Sequence, residues 1–140
     1  RTTSTTLVHS FTKTDPRIMA ITFPYDTSHY PAAPVVDVIL RRAKEISIAA
    51  LLDSGADCSI FPTNVLRRIG ASYLETRNMI DAGGHRQTVN LYRIEVQIGM
   101  YKIPGIRAIG INSKEAIIGR DVLNHLIVTL DGIAGQTEIS

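Results

Sequence analysis

Asp53-Ser54-Gly55-Ala56-Asp57 is the stretch of this chain whose residue types could do chemistry. It follows the aliphatic run Ala49-Ala50-Leu51-Leu52 and gives way to Cys58, Ser59 and the apolar Ile60-Phe61. An apolar run without alternation reads as the end of a strand covered on both faces. Asp53 stands where that strand stops, and Gly55 takes backbone angles that other residues resist. A carboxylate carried out of a core on such a turn is held firmly and kept partly dry, which suits it to proton transfer. Asp-Ser-Gly also arises in ordinary surface turns, because all three types favour turns. The aliphatic residues before it, the second acid at Asp57 and the return to apolar character set this one apart.

Other reactive side chains are sparse. Cys58 is the single cysteine, which excludes an intramolecular disulfide, and no Cys or His spacing suggests zinc. No metal and no cofactor is expected. His9, His29 and His125 have no partners at ligand spacing and read as structural or surface residues. His85 ends Asp81-Ala82-Gly83-Gly84-His85, a hairpin tip that fits a plain turn as well as a mobile cover.

The elements that must position these residues are mostly strands. Val35 to Leu40 is strand-forming, Arg41 to Glu45 is a polar turn, and Ile46 to Leu52 delivers Asp53. Pro62 to Ile69 suits a short helix, with Pro at its start and Gly70 closing it. Leu74 to Asp81 and Gln87 to Ile98 are two long strands joined by the Gly-Gly tip. Tyr101 to Ile109 is a strand interrupted by Pro104 and is expected near a sheet edge. Ala116-Ile117-Ile118 reads as a short central strand, Arg120 to Leu126 as a helix, and Ile127 to Leu130 and Gln136 to Ile139 as strands. Upstream, Arg1 to Asp15 is rich in Ser and Thr and reads as a flexible arm or an edge segment, Arg17 to Phe23 as a strand, and Pro24 to Pro34 as an extended linker.

Two motifs, in order, resemble those of the retropepsin-like (retroviral-type) aspartic protease family. Leu51-Leu52-Asp53-Ser54-Gly55-Ala56-Asp57 is similar to its active-site loop. Ala116-Ile117-Ile118-Gly119-Arg120-Asp121-Val122-Leu123 is similar to its aliphatic-aliphatic-Gly strand and Arg-bearing helix. The resemblance spans roughly Val35 to Leu130. It implies a mostly β, single-domain retropepsin-like closed barrel with a flap hairpin and one or two short helices, half of a two-fold dimer. Residues 35–140 would be that domain, and residues 1–34 an N-terminal arm or linker.

The activity implied is that of an aspartic endopeptidase acting on a peptide or protein substrate. Asp53 would be the catalytic acid and base. Ser54 would clasp the partner's loop through its hydroxyl, Gly55 would admit the substrate backbone, and Asp57 would pair with Arg120 beneath the loop around Ala56. Cys58 would line a specificity pocket or serve as a small packing residue. Ala82, Gly83, Gly84 and His85 would form the flap tip, with Ile117 and Ile118 on the substrate side. A catalytically silent binding or dimerisation module of the same fold is the alternative, and a structural β-domain of a larger polyprotein is a further one.

Peptide hydrolysis by carboxylates takes two of them sharing a proton, and the chain holds one Asp-Ser/Thr-Gly. Asp26-Thr27-Ser28 lacks the Gly, and Asp131-Gly132 lacks the hydroxyl residue. A single chain with two such lobes needs about twice this length. The second carboxylate is therefore expected from another copy, about a two-fold axis. At 140 residues, 44% hydrophobic and 20% charged, the chain fits one ordinary globular domain. A net charge of +2, with Arg41-Arg42 and Arg67-Arg68 as isolated pairs, gives no reason to expect nucleic acid. No apolar segment approaches the roughly 20 residues that span a bilayer. The chain starts at Arg1 without Met, so it reads as a mature or excised fragment of a longer or membrane-anchored precursor. No Asn-x-Ser/Thr sequon is present, and a cytoplasmic location is expected.

Overall fold

A computed structural model describes residues 19–140. The Ser/Thr-rich start, His9, and the first residues of the strand expected over Arg17–Phe23 lie outside them. In chain order the elements are β1 (Ile21–Pro24), β2 (Val35–Arg41), β3 (Glu45–Leu52), β4 (Ile60–Pro62), α1 (Thr63–Arg68), β5 (Ser72–Ile80) and β6 (Arg86–Ile98). There follow β7 (Tyr101–Ile111), β8 (Ile117–Ile118), α2 (Arg120–Leu123), β9 (Val128–Asp131) and β10 (Gln136–Ile139). Among the described residues no helix is long and apolar enough to cross a membrane.

Six strands close on themselves. They run β2-β3-β8-β4-β7-β6, and β6 returns to β2 through Ile39–Gln97, Leu40–Val96 and Arg41–Glu95. β5 pairs only with β6 and stands outside the ring. A separate three-stranded sheet runs β1-β10-β9. The ring is a β-barrel, and its closure removes the open edges that a flat sheet of this size would expose.

Alternation builds the core. In β2, Val36, Val38 and Leu40 point inward, and in β6 Ile94, Val96 and Ile98 do the same. The period of two sends their neighbours outward. Phe61, Leu66, Ile118 and Val122 close the remaining space from β4, α1, β8 and α2. A smaller cluster of Val89, Leu91 and Ile109 packs at the base of the β5–β6 hairpin with Cys58, Ile60 and Met79. α1 starts after Pro62 and is closed by Gly70 at φ 71°, with Gly70 N–H bonded to Arg67 O at 3.1 Å and Ala71 N–H to Leu66 O at 3.0 Å. This is the left-handed exit that glycine takes without penalty.

Four local expectations are corrected. β7 is not an edge strand but lies between β4 and β6. Pro104 is accommodated because the β6–β7 register shifts there, between Ile94 and Val96, with Gly105 at φ 70°. A bulge leaves one residue unpaired, so the missing N–H of proline costs no ladder bond. β3 is not covered on both faces: Ala50 is buried, Ala49 is exposed, and Leu51 and Leu52 are half-buried. Ile60–Pro62 is a strand where only a helix start was expected, and α2 ends at Leu123 rather than Leu126.

Between β1 and β2 the chain folds back on itself. Asp26 and Ala33 exchange two backbone hydrogen bonds of 2.8 and 3.1 Å, and the Tyr30–Pro31 peptide is cis.

Phe61 has no exposed surface and joins β4 to the main core. Phe61→Ala is expected to lower unfolding stability by about 3–5 kcal/mol through lost burial and the cavity left behind, read by urea denaturation.

Candidate active site

The acidic loop leaves one side of β8 and returns on the other. β3 runs parallel to β8, with Leu51 facing Ile117 and Leu52 facing Ile118. β4 runs antiparallel to β8, with Ile60 facing Ile117. Residues 53–59 thus straddle a two-residue strand. Asp53 N–H donates to Ile118 O at 2.9 Å, which fixes the backbone of the acid to the central strand. Ala56 N–H donates to Asp53 O at 3.2 Å, and Gly55 N–H to Asp53 Oδ1 at 2.9 Å. The half-buried carboxylate is therefore oriented by its own turn, with one oxygen engaged and the other free of protein donors among the described residues.

Gly119 sets how close the second motif lies to this loop. A Cβ there would sit 2.8 Å from the carbonyl carbon and oxygen of Cys58 and 2.9 Å from Ala56 O. No side chain fits, so the two backbones touch. Arg120 N–H then donates to Ala56 O at 2.9 Å. The Arg120 guanidinium spans the outside of the loop, giving Nη1–H to Ser54 O at 2.8 Å and Nη2–H to Asp57 Oδ1. Both side chains are exposed, Arg120 at 44% and Asp57 at 79%, so the ion pair is solvent-screened rather than buried.

The buried anchor is a pair that sequence reasoning missed. Ser59, fully buried, donates its hydroxyl to Asp121 Oδ1 at 2.7 Å and its N–H to Asp121 Oδ2 at 3.0 Å. The same hydroxyl accepts Gly119 N–H at 3.0 Å, and Asp121 Oδ1 accepts Val122 N–H at 2.9 Å. One serine and one carboxylate thus tie the end of the loop to the start of α2. The available signal was an acid in the first turn of a short helix, where it meets free backbone N–H groups.

The remaining site residues divide between core, cleft and hairpin. Cys58 is half-buried against the smaller apolar cluster. Burial, then the negative charges of Asp121 and Asp57, push its thiol above the usual range, which leaves it a poor nucleophile. Ile118 is corrected: it has no exposed surface and belongs to the main core, because the strand period sends it to the face opposite Ile117. Ile117 instead lines a groove of about 400 Å³ together with Leu51 and Ala49. Ala82, Gly83, Gly84 and His85 are exposed at the tip of the β5–β6 hairpin. Asp81 Oδ1 organises that tip, accepting N–H from Gly83 at 2.9 Å and from His85 at 2.8 Å. Ser54 and Gly55 are exposed at the front of the acidic loop. Among the described residues no three His, Cys, Asp or Glu side chains gather as a metal site.

The two acid contacts should separate in a stability measurement. Ser59→Ala removes the two bonds of the buried hydroxyl, to Asp121 and from Gly119 N–H, while Asp121 keeps its backbone donors, and is expected to cost about 1–3 kcal/mol. Asp57→Ala removes a screened surface pair and is expected to cost less than about 1 kcal/mol. Urea denaturation of both variants checks the order.

The comparisons with known proteins agree with this geometry. The family model described as retroviral aspartyl protease matches residues 31–131. A retropepsin-like aspartic protease from Rickettsia conorii superposes with a TM-score of 0.60 at 12% identity, over 86% of this chain and 90% of that one. The EIAV protease complexed with the inhibitor HBY-793 superposes with a TM-score of 0.56 at 21% identity, over 66% of this chain and 86% of that one. At such identities these likenesses establish a shared fold. No curated protein matches the sequence. The family match covers well over half of the chain and contains both motifs that meet at β8, and the chain therefore belongs to the retroviral aspartyl protease family.

Proposed function

We propose that the chain is an aspartic endopeptidase whose reaction centre is completed by a second copy of itself. The observation that carries this reading is the lone Asp53. The two other acids that hold this loop are committed elsewhere, Asp57 to Arg120 and Asp121 to Ser59. A second carboxylate for Asp53 is thus missing from the loop that would hold it, and a two-fold axis would supply Asp53 of the partner.

Two facing carboxylates a few ångströms apart cannot both be charged, so the pair holds one proton between them. The ionised member takes a proton from water, which attacks the peptide carbonyl. The protonated member donates a hydrogen bond to the oxyanion as it develops, and protons then pass to the leaving amine. The exposed β5–β6 tip serves as a flap that closes over the peptide and excludes water.

The small sheet supports a dimer. The C-terminal strand β10 is not free to reach a partner, because both its edges are occupied, by β1 and β9. Among the described residues β1 and β9 are the two outer strands of this sheet, and the β9 edge is flanked by the exposed side chains of Ile127, Leu130 and Ile133. An open edge with apolar neighbours is a template for pairing. β9 of a second copy is the partner this reading assigns to it.

Asp53→Asn is expected to lower peptide cleavage by about a thousandfold or more while leaving the fold intact. A peptide-library digestion beside circular dichroism reads both, and full activity in the folded variant would remove Asp53 from the mechanism. Specific activity of the wild-type chain is expected to fall on dilution, in step with the dimer fraction measured by sedimentation. Constant activity in demonstrably monomeric protein would contradict the shared site.

A further inference from the structure

The groove beside the acidic loop has a wall that the loop does not supply. Its floor is a row of apolar side chains on one sheet face. Val35 faces Leu51 across β2 and β3, and Leu51 faces Ile117 across β3 and β8. Side chains two apart along a strand share a face, so Leu51 and the residue that follows the strand end, Asp53, are directed to the same side. The floor therefore leads toward the catalytic carboxylate. Its charged rim comes from two places: Lys114 and Glu115 in the turn before β8, and Asp26 and His29 in the folded-back loop between β1 and β2.

That loop is held in place. Its neck is closed by the two backbone bonds between Asp26 and Ala33, and Tyr25 N–H donates to Gly135 O at 2.8 Å. Asp26 Oδ1 accepts the Ser28 hydroxyl at 2.7 Å and Ser28 N–H at 2.9 Å, and Asp26 Oδ2 lies 3.4 Å from His29 Nδ1. The Ser28 bonds, more than His29, hold this carboxyl below the usual range, so it is charged whenever ordinary carboxylates are. Of the three formally charged side chains on this rim, Asp26 and Glu115 outnumber Lys114.

We propose that Asp26 is a specificity-determining residue, and that the loop from Asp26 to Ala33 is the outer wall of a subsite for a Lys or Arg side chain of the substrate. The long aliphatic stem of such a side chain covers Val35, Leu51 and Ile117, and its cationic head reaches the Asp26 carboxylate. Lys and Arg bury their stems and keep their heads wet in this way. An aliphatic residue fills the floor without using the rim, and a Glu meets net negative charge. This inference rests on the endopeptidase reading.

The test uses the full chain and a series of oligopeptides identical except at one position, which carries Arg, Leu or Glu and is moved stepwise along the peptide. Two readouts are taken: kcat/KM with the wild-type Asp53, and binding of the same peptides to the Asp53→Asn protein, which holds them uncleaved. At one position Arg is expected to be preferred over Leu by about threefold at low salt, the size of a partly exposed ion pair, and less so as salt screens it. Asp26→Asn, which keeps an acceptor for Ser28, is expected to bring the Arg-to-Leu ratio close to one. Asp26→Lys is expected to put Glu ahead of Arg. Each ratio is taken within one preparation, so partial loss of folded protein does not imitate the effect. Equal ratios in wild type and Asp26→Asn at every position overturn the proposal. Cleavage without Arg selectivity sinks the subsite and leaves the endopeptidase. Arg-selective binding that depends on Asp26 without any cleavage supports the subsite and sinks the endopeptidase, and neither binding nor cleavage overturns both.

Discussion

The backbone contact at Gly119 is the constraint on which the site depends. β8 is two residues long and lies between the strands that flank the acidic loop, and the glycine after it has no room for a Cβ. Because the chain can approach this closely, Asp53 bonds to Ile118, Arg120 bonds to Ala56, and Ser59 reaches Asp121. Each bond would lengthen if the two segments moved apart by the width of a methyl group. The Asp53 carboxylate is thus positioned by main chain first, and side chains add orientation. Precision of this kind comes from building a site at the ends of strands rather than on a free loop.

The side-chain contacts around the loop differ in weight according to water. Arg120 and Asp57 form the contact that a reader of the sequence would single out, yet both are open to solvent. Ser59 and Asp121 are less conspicuous, and their bonds are the more sheltered, with Ser59 fully buried and Asp121 half-buried. A charge-assisted hydrogen bond sheltered from water is worth more than an exposed ion pair. The hairpin tip shows a similar economy of means, with one carboxylate oxygen of Asp81 collecting two backbone N–H groups. The Gly-Gly pair there is a shaped turn, whose flexibility is confined to what that knot allows.

Much of the fold was legible because its signals are local. The alternation in Val35–Leu40, the glycine tip between two long strands, and Pro62 and Gly70 at the ends of α1 all act within a few residues. The acidic loop and the Gly119–Arg120 motif were legible as a matched pair. What was not legible lies at longer range. Ser59 and Asp121 are 62 positions apart, and both are common residue types whose meeting only the crossing at β8 arranges. β4, at three residues, is too short to show a period. Pro104 was read by its usual habit at strand edges, whereas a bulge solved the missing donor inside the barrel. The charged rim at Asp26 was hidden because nothing in Pro24–Pro34 announces that the chain turns back toward the groove.

The closing pair of the barrel has a kinetic meaning. β2 and β6 join through contacts such as Arg41 with Glu95, 54 positions apart, and this pairing completes the ring. A loop of that size must be drawn in before the seam rewards it, and chains dominated by distant pairings fold slowly. Until the seam forms, β2 and β6 each present an unzipped margin to any other chain nearby. Slow refolding and a tendency to clump at high concentration would then originate at this seam rather than at the acidic loop.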